Sequence, residues 1–455
     1  MALSKRKEGG VQPGIQWWRF NIRIPGIHVN LSWPEIIQGG LLTVATGGAV
    51  APLMMQFFDI PFAVAWTVVI VQLFWVWSHT FLFGDPYGPG WITPALPLIL
   101  VFLGGFTPGP EAVQAMTALM LCVSAIFLFF GITKLGAKFF EWIPVELRAG
   151  IIMGSSIAAF QGEFDRLESL PITLPVVWGV VFLLMFSVWF GKMKAGNRLL
   201  SNLASMALIV GFFVAALVGP LAGEMQFDIN MGITLPQFGP FLEAVSPFYV
   251  GWPSWNMYLQ ALPLAFMIYI VVFGDLVVAD TLIKDADRIR KDEKIVVDPI
   301  RTHFATAIRN LGHLLTGGVF VPLHGPVWTG VTVFILERYK EGREKMDSIY
   351  SGTVNWYWLA LPLVFLTPVV DFMLPMLPVA LSITLILTGF ACAYMAMRMV
   401  ETPTGRGFAL FVGLVTAQFG PAWGIGVGIA LFFLLLVQRR PMIAMPYDTE
   451  EKKDQ

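Results

Sequence analysis

The sequence predicts an all-α integral membrane protein with fourteen transmembrane segments, arranged as two inverted seven-segment repeats with half-helices in segments three and ten. Three observations carry this. The apolar runs are too long and unbroken for anything but membrane helices, basic and base-poor loops alternate along the chain, and two short motifs recur at nearly the same offset. Of the 455 residues, 56% are hydrophobic and only 13% charged, so lipid is the natural solvent. Water cannot satisfy backbone amides inside a bilayer, so spanning segments must be helices or a closed barrel, and these runs lack the short alternating pattern of barrel strands.

A span needs roughly 20 apolar residues. By that measure the first half holds segments near 33–57, 61–82, 111–133, 143–160, 174–190 and 199–221, and the second half near 257–283, 302–320, 356–374, 378–397, 407–419 and 421–438. Two further stretches, 88–104 and 325–336, are apolar but short and preceded by Gly and Pro, as interrupted membrane helices are. The expected organisation is an N-terminal cytoplasmic segment (1–32), a first repeat (33–221), an extracytoplasmic loop (222–256), a second repeat (257–438) and a cytoplasmic tail (439–455).

Charge placement sets the sidedness, because cytoplasmic loops collect Lys and Arg. One set of loops carries Lys134 and Lys138; Lys192, Lys194 and Arg198; Lys284, Arg288, Arg290, Lys291 and Lys294; Arg338, Lys340, Arg343 and Lys345; and Arg406. Lys5, Arg6 and Lys7 at one terminus and Arg439 and Arg440 at the other fall on the same side, so both termini are expected in the cytoplasm. The loop 222–256 holds Glu224, Asp228 and Glu243 but no Lys or Arg. No apolar core with a cleavage site follows Lys7, so no signal peptide is expected. The expected location is the bacterial inner membrane.

Tyr87-Gly88-Pro89-Gly90-Trp91 is matched by His324-Gly325-Pro326-Val327-Trp328, and Ile143-Pro144-Val145-Glu146-Leu147 by Leu377-Pro378-Val379-Ala380-Leu381. Order and spacing agree, and each pentapeptide is expected to open an apolar segment in its half. An odd number of segments per half inverts the second half. Transporters of this construction place their site near the midplane, where broken helices from the two halves end. There the unpaired amides and positive dipole ends would welcome an anion or a carbonyl-rich solute.

The expected substrate-binding residues are therefore Tyr87, Gly88, Pro89, His324, Gly325, Pro326 and Val327. An ionisable group inside a span is a functional candidate, and Asp275 is the strongest, as a coupling-ion site, with Gly274 beside it admitting another backbone. Asp280 lies five residues on, about 140° around the helix, and is an accessory candidate at a helix end. Asp85 is expected to be a gate or solvated, and Arg309 to anchor to a carboxylate or to cytoplasmic water. Glu146 and Arg148 read as snorkelling side chains, and Trp17, Trp18, Trp252 and Trp255 as an interfacial belt. Cys122 and Cys392 lie in apolar runs, and no phosphate loop, nucleophile elbow or zinc-helix signature is visible. No cofactor, metal, enzymatic activity, nucleic-acid partner or ATP-driven transport is expected.

These residues resemble the superfamily of nucleobase permeases (uracil and xanthine) and sulfate permeases. The carriers are Phe273-Gly-Asp-Leu-Val-Val-Ala-Asp280, the stretch from Asp298 through Arg309 and Asn310 to Leu315-Thr-Gly-Gly318, and the Gly-Pro break of segment ten. The resemblance implies a core domain of segments one to four and eight to eleven moving against a gate domain of five to seven and twelve to fourteen, with a site between segments three, eight and ten. Nucleobase permeases grip the base with acidic residues on segment eight and at the start of segment ten; here segment ten offers Val327 and Trp328, and Asp275 stands alone, one turn displaced. Sulfate permeases usually continue into a cytoplasmic regulatory domain, for which the tail after Arg440 has no room. The expected function is secondary active transport of a small anion or small polar organic solute, coupled to H⁺ or Na⁺, by alternating access between core and gate. A nucleobase permease and an anion channel are the alternatives. The expected partners are the solute, the coupling ion, membrane lipid and a second copy of the chain in a homodimer.

Overall fold

The computed structural model describes residues 3, 4, 6–194, 197, 200 and 207–436, apart from the side chains of residues 165, 194 and 208. The expected start of segment seven, the residues Lys5, Arg198, Arg439 and Arg440 and the cytoplasmic tail lie outside the described residues. The rest is helical in the main, with two pairs of very short strands.

Strands β1 (Ile15–Trp17) and β2 (Phe20–Ile22) form a hairpin ahead of the first helix. Pro34 opens α1 (Trp33–Gly48), which runs through Ala49 into α2 (Val50–Phe58); the chain turns at Asp59 in the left-handed region and Pro61 leads into α3 (Phe62–Phe81). After the first break come α4 (Leu96–Leu103), α5 (Pro110–Thr133), α6 (Gly136–Trp142), α7 (Val145–Leu167), α8 (Thr173–Phe186) and α9 (Ala207–Leu221). The second half comprises α10 (Trp255–Ile289), α11 (Pro299–Gly317), α12 (Thr329–Lys340), α13 (Thr367–Met399), α14 (Pro403–Phe419) and α15 (Pro421–Leu435). Among the described residues five spans are long and apolar enough to cross a bilayer alone: Trp33–Phe58, Phe62–Phe81, Pro110–Thr133, Trp255–Ile289 and Thr367–Met399. A sixth forms if α6 and α7, bent by 94° at Pro144, are counted together. The other apolar helices are shorter.

The structure corrects the reading of segments eleven and twelve. Residues 356–374 are not one helix. Three short turns, Ile349–Thr353, Asn355–Trp358 and Ala360–Leu363, precede a bend at Leu366, and α13 then runs unbroken through Pro375 and Pro378. Proline is tolerated inside a membrane helix because neighbours satisfy the carbonyl it frees, so Pro378 was false punctuation. Of the second motif pair only the copy at Pro144 opens a helix.

Packing falls into two groups. Helices α3, α5, α10 and α11 bundle together, and α7 packs along α13 and α14, with α15 beside α14 and α8 beside α9. In the second bundle small residues bring backbones together, as lipid-embedded interfaces require. A Cβ on Gly154 of α7 would sit 2.9 Å from Thr416 Cβ, and one on Gly413 of α14 2.9 Å from the Gly154 nitrogen.

The N-terminal segment is folded onto the basic side. Arg6, buried, donates to Gln12 Oε1 at 2.6 Å and to Asp292 Oδ2 at 2.9 Å, and Lys294 donates its backbone N–H to Gly10 at 3.0 Å. A hydrogen bond from Arg290 holds the Asp292 carboxyl below its ordinary value.

Cysteines placed singly at Asp228 and Lys291, both exposed, are expected to react with an impermeant thiol reagent from opposite faces, Lys291 from the cytoplasm. Labelling of both from one face would reject the inverted-repeat topology.

Candidate functional site

Two interruptions build the site. After α3 the chain turns at Gly84, with φ of 77°, and crosses in extended form to Ile92, where Pro94 restarts a helix through Leu103. After α11 it turns at Gly318, with φ of 72°, passes Leu323 in the left-handed region and restarts at Thr329. The two extended pieces pair as antiparallel β3 (Gly90–Trp91) and β4 (His324–Gly325), Gly90 opposite Gly325 and Trp91 opposite His324. Trp328 donates its backbone N–H to the Gly88 carbonyl at 2.5 Å, Ile92 to that of Leu323 at 3.2 Å, and Gly88 to Thr332 Oγ1 at 3.0 Å. The repeated motifs are thus each other's partners, and each break satisfies backbone groups freed by the other.

Behind this bridge lies a buried polar network. Asp85 sits 2.6 Å from Arg301 Nε and 3.1 Å from His79 Nε2, all three groups enclosed. Arg309, with no exposed surface, donates to the carbonyls of Trp75 at 2.6 Å and Gly325 at 2.9 Å, and to the Nδ1 atoms of His79 and His324, each at 3.3 Å. Guanidinium groups only donate, so both rings carry their hydrogen on Nε2; that of His324 meets His313 Nδ1 at 2.7 Å. Asn310 clamps the backbone of His324 from both sides, its Oδ1 accepting from the N–H at 2.8 Å and its Nδ2 donating to the carbonyl at 2.9 Å. Asp85 is therefore buried in an ion pair and not solvated, and Arg309 is enclosed with no ion pair to a carboxylate among the described residues. Because Arg301 neutralises Asp85, the Arg309 charge stays uncompensated directly behind the second break.

In front of the bridge is a cavity of 1110 Å³. Thr93 and Pro94 from the first half-helix and Thr329 and Gly330 from the second stand in its wall, so both N-termini open on it. Asp275 lines it from α10 without a hydrogen bond or ion pair among the described residues, and Gly274 faces space, with nothing within 4 Å of an added Cβ, instead of another backbone. Arg148, expected to snorkel, also lines the cavity: its guanidinium lies 4.2 Å from the centre of the Phe140 ring, and its buried Nε has no hydrogen-bond partner. The exposed wall residues Val278, Tyr394, Met395 and Arg398 lie toward the basic ends of α10 and α13.

Of the sequence-expected residues, Asp275 and Val327 line the cavity. Tyr87, Gly88, Pro89, His324, Gly325 and Pro326 are buried in the bridge behind it, and Asp280 is on the basic side, paired with Lys284 at 2.5 Å. Sequence reading missed Gln72, Thr43 and Tyr357 on the wall; a polar residue amid an apolar run was the available signal for the first two.

No protein-family model and no curated protein sequence matches the chain. Solved structures share its fold, two of them as follows. The transmembrane domain of the bicarbonate transporter BicA from a cyanobacterium superposes with a TM-score of 0.50 at 15% identity, over 86% of this chain and 98% of that one. The murine Solute Carrier 26 family member A9 anion transporter, in an inward-facing state, superposes with a TM-score of 0.53 at 14% identity, over 89% of this chain and 68% of that one. The chain thus shares the fold of these two transmembrane proteins.

Removing the Asp85 carboxylate strands Arg301 in a dry interior, so Asp85→Ala is expected to cost about 3–5 kcal/mol. Asp280→Ala, breaking a surface pair, should cost at most about 0.5 kcal/mol. Thermal unfolding in detergent compares them, and equal melting temperatures would refute the structural role of Asp85. The bridge yields a second expectation. A Cβ on Gly88 would come 2.8 Å from Val331 Cγ1 on α12, and one on Gly325 within 3.1 Å of the Trp91 carbonyl, so bulk on either break displaces the half-helix of the other. Gly88→Val and Gly325→Val should each weaken solute binding about tenfold or more, the cost of losing one N–H contact to a charged group. Gly426→Val, exposed and unobstructed on α15, should leave binding unchanged. Normal affinity in both folded break variants would place the solute elsewhere.

Proposed function

We propose that the chain is a secondary active transporter of a small anion, working by alternating access between the two helix bundles, with Asp275 carrying the coupling H⁺ or Na⁺. The observation that carries this reading is the single cavity on which two half-helix N-termini, Arg148 with its unpaired Nε, and Asp275 all converge. Each half-helix contributes about half a positive charge at its N-terminus, and Arg309 adds a buried charge behind them. Such a pocket favours an anion over a neutral base. The two solved structures of the same fold are named as a bicarbonate transporter and an anion transporter, which supports the same class. The nucleobase alternative lacks its second acidic residue, since the start of α12 presents Val327 and Trp328.

On this reading residues 33–221 and 257–438 are the two inverted repeats of fourteen segments, embedded in an inner membrane with both termini cytoplasmic. The conformation is inward-open, and closure brings the bundle bearing Arg148 onto the half-helices. Asp275 faces the solute with no protein partner, so neutralisation by a cation and occupancy by an anion assist one another.

Uptake into proteoliposomes of labelled bicarbonate, sulfate and chloride, with uracil and xanthine as competitors, tests the class. Anion uptake is expected, insensitive to the bases. Arg148→Gln should weaken anion affinity tenfold or more. Asp275→Asn should still bind and exchange anion, but lose accumulation driven by a proton or Na⁺ gradient. Full gradient-driven uptake by Asp275→Asn removes this residue from coupling, and ohmic anion current without accumulation by the wild type replaces the carrier with a channel.

A further inference from the structure

Gln72 sits in the middle of α3 with 1% of its surface exposed, yet it lines the cavity. Its Oε1 accepts a hydrogen bond from Trp91 Nε1 at 3.1 Å. An indole N–H can only donate, so the amide atom facing it is the oxygen, and the nitrogen is turned away from the bridge strand. That nitrogen, with two donor hydrogens, is buried and has no hydrogen-bond partner. On α1 the Thr43 hydroxyl is in the same state: it lines the cavity, is 4% exposed and has no partner. Gly47, one turn beyond Thr43 on α1, packs against that amide, since a Cβ there would come 3.0 Å from Gln72 Nε2. Tyr357 lines the same cavity with its hydroxyl already committed to the Pro89 carbonyl.

A buried amide nitrogen without an acceptor is costly to retain in a folded core, and two unpartnered donors on the wall of one cavity call for a ligand atom that accepts. We propose that Gln72 and Thr43 are substrate ligands: both donate to one oxygen of a polyatomic oxyanion whose remaining oxygens face the half-helix N-termini, and they set a preference for oxyanions over halides. The inference rests on the anion reading above and names a substrate class and two residues for that site. A halide, a single centre, sits at a half-helix N-terminus and makes no use of donors on α1 and α3. An oxyanion engages both ends of the site at once. Trp91 is the positioning residue, because its indole fixes which way the Gln72 amide points.

The test uses the purified full-length chain in detergent, with affinities for bicarbonate, nitrate, sulfate and chloride measured by calorimetry. The wild type should bind at least one oxyanion more tightly than chloride. Gln72→Met, close to isosteric and without donors, should weaken that oxyanion about tenfold while changing chloride less than about threefold. Thr43→Val leaves the Trp91 hydrogen bond untouched and should shift the oxyanion-to-chloride ratio in the same direction, so the inference stays testable if Gln72→Met fails to fold. Trp91→Phe should lower the ratio through the freed amide. An unchanged ratio in the folded variants, equal loss of both anions, or wild-type binding of chloride at least as tight as of every oxyanion overturns this assignment while leaving an anion transporter in place. Binding of none of the four overturns the anion reading as well.

Discussion

A helix that stops inside a bilayer leaves amides and carbonyls with no water to turn to, at several kcal/mol for each group left unpaired, and this chain stops two helices there. Its solution is to let the breaks satisfy each other. Gly90 and Trp91 pair with Gly325 and His324, and the Trp328 amide donates to the Gly88 carbonyl. Much else follows from that bridge. The breaks lie side by side, and the N-termini of the half-helices open on one cavity. Glycine at 88 and 325 follows too, because each lies against the opposite half-helix at a distance that admits no side chain without displacement.

The bridge is held from behind by a residue that can only donate. Arg309 offers N–H groups to two carbonyls and two imidazoles, so the hydrogen positions on His79 and His324 are set by its chemistry. His79 in turn reaches Asp85, which opens the first break, while Asn310 grips the backbone of the second. Neither break is placed by its own half alone, and a shift of α11 would move both.

Much of this was legible in the sequence. Apolar run lengths, the basic loops and the Gly-Pro pentapeptides point to the inverted fold, because those signals arise from lipid solvation and from backbone geometry, which are local. Asp275 stood out for the same reason, as a charge within a span. What was not legible depends on which side chains face one another. Tyr87 and His324, the most chemical residues of the repeated motif, point into the bridge, whereas the bland Thr93 and Thr329 face the cavity. Arg148 sits near a helix start, where a snorkelling reading is ordinary, and only the bend at Pro144 turns it inward over Phe140. Pro378 misled because membrane helices tolerate proline where soluble ones break.

The two bundles meet the cavity with different electrostatic instruments. The half-helix bundle contributes positive potential that cannot be moved: peptide dipoles fixed by the bridge and the guanidinium of Arg309, locked in four hydrogen bonds. The opposing bundle contributes Arg148, whose guanidinium rests on the Phe140 ring and whose buried Nε has no hydrogen-bond partner among the described residues. With these groups alone an anion would be held too well to leave. Under the proposed function Asp275 supplies the counterweight, and since it has no hydrogen bond or ion pair among the described residues its charge is open to a small cation. Under the proposed mechanism the fixed dipoles define where the anion sits, Arg148 reports whether the bundles have closed, and the charge on Asp275 decides on which side of the membrane the anion is released.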